Sequence, residues 1–216
     1  MSDYFAGIDI GSTMTKAVIM NQGIISSIVG PTGPEQRRLA NKVMENALQQ
    51  ANLPFEAIAF LVATGYGRIN VPFADKQVTE ITCHAKGVAH FFPECRTIID
   101  IGGQDCKGIK IDLGRPVDFV MNDKCAAGTG SFLDHQAQRL NLSREEFVQR
   151  ALISDISVNI VGRCTVFAES DMVHKQQMGH SIEDILYGLC QALVRNYLNN
   201  VGSGKEVLSP IVFQGG

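Results

Sequence analysis

Ile8-Asp9-Ile10-Gly11-Ser12-Thr13-Met14-Thr15-Lys16, set beside Asp100-Ile101-Gly102-Gly103-Gln104-Asp105-Cys106-Lys107, is where the architecture of this chain can be read. Each copy closes an apolar run with Asp-Ile-Gly, and in each a lysine follows the aspartate by seven residues. The flanking runs, Tyr4 to Ile10 with Thr15 to Met20 and Thr97 to Ile101 with Lys107 to Asp112, read as strands. A strand–turn–strand unit that occurs twice predicts two similar lobes whose acidic turns converge on a common ligand. We expect lobes at 1–95 and 96–216.

The rest of the chain fits an α/β protein with mixed sheets and helices. Asn21-Gln22-Gly23 is a turn before a strand from Ile24 to Val29, and Leu39, Val43 and Leu48 space an amphipathic helix that ends near Asn52-Leu53-Pro54. Ile58 to Ala63 reads as a buried strand, and the segment from Thr64 to Phe92 as loop and helix. A Leu-Gly-Arg-Pro turn, 113–116, precedes a strand from Val117 to Met121. From Ser131 onward helices dominate. Ser143 with Glu146 is a capping box, and Ser181 caps an apolar stripe running from Ile182 to Tyr197. Pro210 to Phe213 returns to strand just before Gly215-Gly216, so a final helix and strand are expected beyond the sequence given.

With 216 residues, 45% of them hydrophobic, the chain can bury one or two cores. Its formal charge of −3, without a run of like charges, leaves no footprint for nucleic acid or an anionic membrane. No apolar stretch approaches the ~20 residues of a membrane span, and the N-terminus lacks a secretory pattern. A cytoplasmic protein with reduced thiols is the expectation for its six cysteines, none of them in a Cys-x-x-Cys pair.

Glycine turns between strands let backbone N–H groups approach phosphate oxygens. Gly11-Ser12-Thr13 and Gly102-Gly103 are such turns, and Lys16 would be a point charge on the phosphates. Asp9 and Asp100 would act through the waters of a Mg²⁺ ion, since a carboxylate does not bind phosphate directly. Gln104 is a candidate to orient an attacking water. Gly202-Ser203-Gly204-Lys205 imitates part of a Walker A loop, but Asn199 and Glu206 occupy two of its required positions, and it reads as a helix terminus.

The two turns resemble the phosphate motifs of the sugar kinase, Hsc70 and actin superfamily, and Phe213-Gln214-Gly215-Gly216 resembles the start of its adenosine motif. Within it the chain is similar to the activator ATPases of 2-hydroxyacyl-CoA dehydratases and the ATPase subunits of benzoyl-CoA reductase. The resemblance runs through Thr64-Gly65-Tyr66-Gly67-Arg68, Ala74-Asp75-Lys76-Gln77, Asn122 to Gly130 around Cys125, and Cys164 to Ser170. It implies a two-lobed actin-like, ribonuclease H-like fold, with ATP or ADP held by the two turns and by Gly215 and Gly216.

Cys125 precedes a helix starting near Ser131, and Cys164 follows Arg163, so both cysteines stand where a thiolate is favoured. A four-iron cluster wants four thiolates. The resemblance implies one [4Fe–4S] cluster per homodimer, with Cys125 and Cys164 given by each chain. It also implies an upstream ferredoxin or flavodoxin as electron donor, and a partner dehydratase or reductase that itself carries iron–sulfur clusters. Cys95, Cys106 and Cys190 read as small core residues, His174 and His180 as exposed, and Cys83-His84 as a weak candidate for metal. Two other readings remain open at this point: a small-molecule sugar or acid kinase, and a nucleotide-gated scaffold without catalysis.

Overall fold

The computed structural model describes residues 3–122, 125–162, 164–202 and 206–215. The chain divides into two compact units, Met1–Phe91 and Phe92–Gly216.

In the first unit β1 (Tyr4–Ile10), β2 (Met14–Met20) and β3 (Ile24–Pro31) form an antiparallel meander. Helix α1 (Gln36–Ala51) then crosses to β4 (Ile58–Thr64), which pairs parallel with β1. The two-residue β5 (Lys76–Gln77) closes the order β3-β2-β1-β4-β5, and α2 (Glu80–Phe91) follows. Period-two alternation sends Ala6, Ile8 and Ile10 of β1 and Ala17 and Ile19 of β2 into the core. There they meet Ala40, Val43, Met44, Ala47 and Leu48, whose three- and four-residue spacing makes one face of α1. Asn52 ends that helix in the left-handed region, φ 54°, with its N–H returned to Gln49 O and Leu48 O.

The second unit repeats the plan. Strands β6 (Thr97–Ile101), β7 (Cys106–Asp112) and β8 (Arg115–Asn122) form a meander, and β9 (Ile211–Gly215) pairs parallel with β6, giving the order β8-β7-β6-β9. The match extends to register: Asp9 lies opposite Lys16 in the first unit, and Asp100 lies opposite Lys107 in the second. The expected four-residue turn at 113–116 is shorter. Leu113 (φ 45°) and Gly114 (φ 72°) make the two-residue turn whose twist suits a hairpin, and Arg115 already belongs to β8. Pro116 is accommodated because β8 is an edge strand.

Among the described residues, four α-helices lie between β8 and β9: α3 (Gly130–Arg139), α4 (Arg144–Ile153), α5 (Thr165–Gln177) and α6 (Ile182–Tyr197). They share a core of Phe132, Phe147, Ile160, Met172, Leu186 and Leu189 among others. Ser143 and Glu146 form the full capping box, and Ser181 Oγ accepts from Asp184 N, as the sequence indicated. The last turn of α6 passes into a π-helical segment, Leu198–Gly202. The imitation Walker loop continues into Ser203, Gly204 and Lys205, which lie outside the described residues.

Candidate functional site

Asp9 is the next-to-last residue of β1, and its Oδ2 is 3.2 Å from Lys16 Nζ. Both side chains are partly open, at 27% and 39% exposure. The intervening turn is tight: Gly11 N donates to Met14 O at 3.1 Å, and a Cβ on Gly11 would come within 2.8 Å of that oxygen. The Thr64–Arg68 segment braces this turn from beside. Gly67 N donates to Ile10 O at 2.9 Å, while Gly65, at φ 82°, leaves room for Asp9 Oδ1 where any Cβ would sit 2.3 Å away. Arg68 fixes the segment through Gly65 O (2.9 Å) and Glu80 (3.5 Å).

The second turn has the same register and a different interior. Asp100, Asp105 and Lys107 are all buried. Lys107 Nζ is 3.6 Å from Asp100 Oδ2 and in close contact with Asp105 Oδ2, and Gln214 Nε2 donates to Asp100 Oδ1 at 3.2 Å. Gly102 N donates to Asp105 O at 2.9 Å, and a Cβ on Gly102 would meet Asp105 Oδ1 at 2.6 Å. Gly215 lies flat against β6, 2.2 Å from Ile101 O at its notional Cβ. Gly103 and Gln104 sit in the turn itself, Gln104 exposed. Sequence reasoning missed Asp105, Lys107 and Gln214 as site residues. The lysine was findable, since the duplicated register places it where Lys16 stands; its burial was not.

Helix α3 starts on this turn: Gly130 N donates to Gly102 O (2.9 Å) and Ser131 N to Gly103 O (2.8 Å). Ahead of it, Asn122 Nδ2 donates to Cys125 O and Ala127 O, each at 3.2 Å, and Ala127 N donates to Cys125 Sγ at 3.4 Å. The helix begins at Gly130 with Thr129 as N-cap, so Cys125 is four residues outside the cap and exposed. Cys164, expected to lie beside a cation, is itself the N-cap of α5 and half-buried. Both cysteine segments rest on the end of α6. Asn196 Nδ2 donates to Gly162 O, Tyr197 Oη donates to Lys107 O at 2.9 Å, and Gly128 (φ 88°) approaches Tyr197 N at a notional 3.2 Å. Asp123, Lys124, Arg163 and Gly216 lie outside the described residues.

The other cysteines behave as core. Cys95 and Cys106 are buried, Cys190 packs against the helical core, and burial pushes the Cys106 thiol up to about 11. Burial raises Cys190 as well. None of the six is joined in a disulfide. Among the described residues no cluster of three or more metal-binding side chains exists, which leaves Cys83-His84 without a site. His174 and His180 are exposed.

Residues 6–216 match the model of the BadF/BadG/BcrA/BcrD ATPase family. The chain belongs to that family. A relative, the 2-hydroxyisocaproyl-CoA dehydratase activator of Clostridioides difficile, is 45% identical over 95% of this chain and 79% of its own length. The crystal structure of component A of the Acidaminococcus fermentans (R)-2-hydroxyglutaryl-CoA dehydratase superposes with a TM-score of 0.94 at 36% identity, covering 100% of this chain and 83% of that one. The activator of the Clostridium difficile 2-hydroxyisocaproyl-CoA dehydratase, solved with bound ADPNP, gives 0.86 at 40% identity over 99% of this chain and 80% of that one. The two mixed sheets flanked by helices are thus the actin-like ATPase fold expected for the family. No helix among the described residues is long and apolar enough to cross a membrane.

Proposed function

We propose that the chain is an ATP-hydrolysing activator that delivers single low-potential electrons to a partner 2-hydroxyacyl-CoA dehydratase or related reductase. The observation that carries this reading is the pairing of a duplicated phosphate-type turn with two cysteines outside the core, Cys125 exposed and Cys164 half-buried. Cys164 caps α5 and Cys125 lies four residues ahead of the cap of α3, the helix that is hydrogen-bonded to the second turn. The relatives named as dehydratase activators support it.

The residues fit the groups the family implies. Asp9 and Asp100 are hard oxygen donors at equivalent registers, suited to the water shell of Mg²⁺, which when bound would neutralise charge on the transferring phosphoryl group. Turn amides at Ser12, Thr13 and Gly103 would orient phosphate oxygens, Gly11 and Gly102 keeping the turns tight enough for close approach, with Lys16 as the movable charge and Gly215 and Gly216 beside the adenosine. Gln104, exposed in its turn, would hold a water in line. Two thiols per chain are half of what a [4Fe–4S] cluster needs, so Cys125 and Cys164 of two chains would hold one cluster, a one-electron carrier replenished by a ferredoxin or flavodoxin. Hydrolysis at the second turn would reach Cys125 through α3, making nucleotide state and cluster exposure two readings of one conformational change.

A kinase on the same fold gives Cys125 and Cys164 nothing to do. Protein purified without oxygen should be a brown dimer with four irons per two chains. It should hydrolyse ATP, lose cluster to chelator at different rates with ADP and a slowly hydrolysed ATP analogue, and reduce its partner only with ATP. A colourless protein that phosphorylates a small sugar or acid would replace this reading with the kinase. Nucleotide-independent electron transfer would reject the gating.

A further inference from the structure

Gln136 lies on α3 between Phe132 and Ala137, which both enter the helical core, and it is as fully buried as they are. Its Nε2 donates to Thr165 O at 3.1 Å, and its Oε1 is buried without a hydrogen-bond partner among the described residues. A buried amide that makes one hydrogen bond to the protein is a poor way to fill a core, because burying a polar group costs more than one neutral hydrogen bond returns. What this amide does is join two helices at a particular point. Thr165 is the first residue of α5, next to its N-cap Cys164. The other end of α3 holds Gly102 O and Gly103 O through Gly130 N and Ser131 N. From Gly130 to Gln136 is about 9 Å of stiff helix. A second tie, Arg139 Nε to Glu169 Oε1 at 2.6 Å with His135 near the same carboxylate, joins the same helices on their exposed side.

We infer that Gln136 is a positioning residue that makes Cys164 follow the second phosphate turn. This rests on that turn binding nucleotide, as proposed above. Cys125 is tied to the turn directly, ahead of α3 in the chain; Cys164, 39 residues further on, is tied to it through Gln136. The Arg139–Glu169 pair is exposed and screened, so the buried amide is the tie on which the two thiols of one chain depend for a common response to nucleotide.

The test uses the full chain freed of cluster, so that thiol reactivity is read without metal. Iodoacetamide labelling of Cys125 and Cys164, resolved by peptide mass spectrometry, is followed with Mg-ADP and with Mg-ADPNP. In the wild type both cysteines should label at rates that differ between the nucleotides by about fivefold, a modest allosteric coupling. In Gln136→Met the Cys164 ratio should collapse to about one while the Cys125 ratio and the nucleotide affinity persist. Simple loosening of α5 would instead speed Cys164 labelling with both nucleotides and leave the ratio standing. Should Gln136→Met fail to fold by circular dichroism, Gln136→Leu also removes the donor, leaves no charge in the core and should lose the same ratio. A Cys164 ratio that survives in the folded variant overturns the inference and leaves the activator reading intact. Equal rates with both nucleotides at both cysteines of the wild type would overturn the nucleotide coupling and the inference with it.

Discussion

Lys16 and Lys107 occupy the same register in the two repeats, and their replacement by methionine should have different effects, on function in the first and on stability in the second. Lys107 is 3% exposed and stands between Asp100 and Asp105, themselves at 7% and 9% by side chain. Lys107→Met removes the cation that these two buried carboxylates share, a change that costs about 3–5 kcal/mol when a buried ion pair is broken. In a protein of this size that corresponds to a fall in Tm of roughly 10 °C. Lys16→Met breaks a pair whose members are 39% and 27% exposed, and solvent screening holds the stability cost below about 1 kcal/mol. Its cost appears in function, as a rise in KM for ATP of about tenfold, the worth of one charge-assisted hydrogen bond to phosphate. Thermal melts and chemical denaturation of both variants, with ATPase kinetics for Lys16→Met, make the comparison. A double-mutant cycle of Lys107→Met with Asp105→Asn should recover part of the loss, since one of the stranded charges is then gone. Equal destabilisation by the two lysine variants, or a Lys107→Met protein within about 1 kcal/mol of wild type, would refute the idea that one repeat is locked and the other open.

Asp9→Asn and Asp100→Asn should each lower ATP turnover by about 10²-fold or more while circular dichroism stays native, because each substitution is isosteric and removes charge from the cation shell. Cys125→Ala or Cys164→Ala should abolish iron binding, while Cys95→Ala and Cys190→Ala retain the wild-type iron content of anaerobic preparations. The Cys106 thiol, raised from 9.0 to about 11 by burial, keeps its proton in the folded chain at pH values where the unfolded chain has lost it. Its contribution to stability is thus complete below pH 9 and disappears as pH rises towards 11. Denaturation series across that window should show wild type losing up to about 3 kcal/mol more than Cys106→Ala.

The architecture was legible because the sequence states its plan twice. Asp-Ile-Gly followed by a lysine at fixed distance predicted the repeat, and the paired registers Asp9–Lys16 and Asp100–Lys107 are that prediction in three dimensions. Period-two strands and capped helices were equally plain at β1, α4 and α6. What stayed hidden depended on contacts distant in sequence. Nothing local to Lys107 says it is buried, since that follows from Asp105 folding back and Tyr197, 90 residues away, donating to its carbonyl. Gln136 looked like one more polar residue on an amphipathic helix until its partner on α5 was seen. Leu113 with a positive φ was unreadable because leucine seldom adopts that conformation, and the hairpin imposed it.

The hydrogen bonds from Gly130 and Ser131 have a consequence for which ions the second turn admits. By accepting from α3, the carbonyl oxygens of Gly102 and Gly103 are directed towards the protein, and Gly102 N is directed to Asp105 O. A turn whose oxygens face inward cannot act as a carbonyl cage for a bare metal ion; the polarity it shows to solvent is left to its other amides. The same bonds make that polarity conditional on α3 staying seated. If the helix lifts, the two oxygens are released, and the rim of the turn gains two acceptors that repel an anion. On the function proposed above, product release and helix displacement would then be a single electrostatic event.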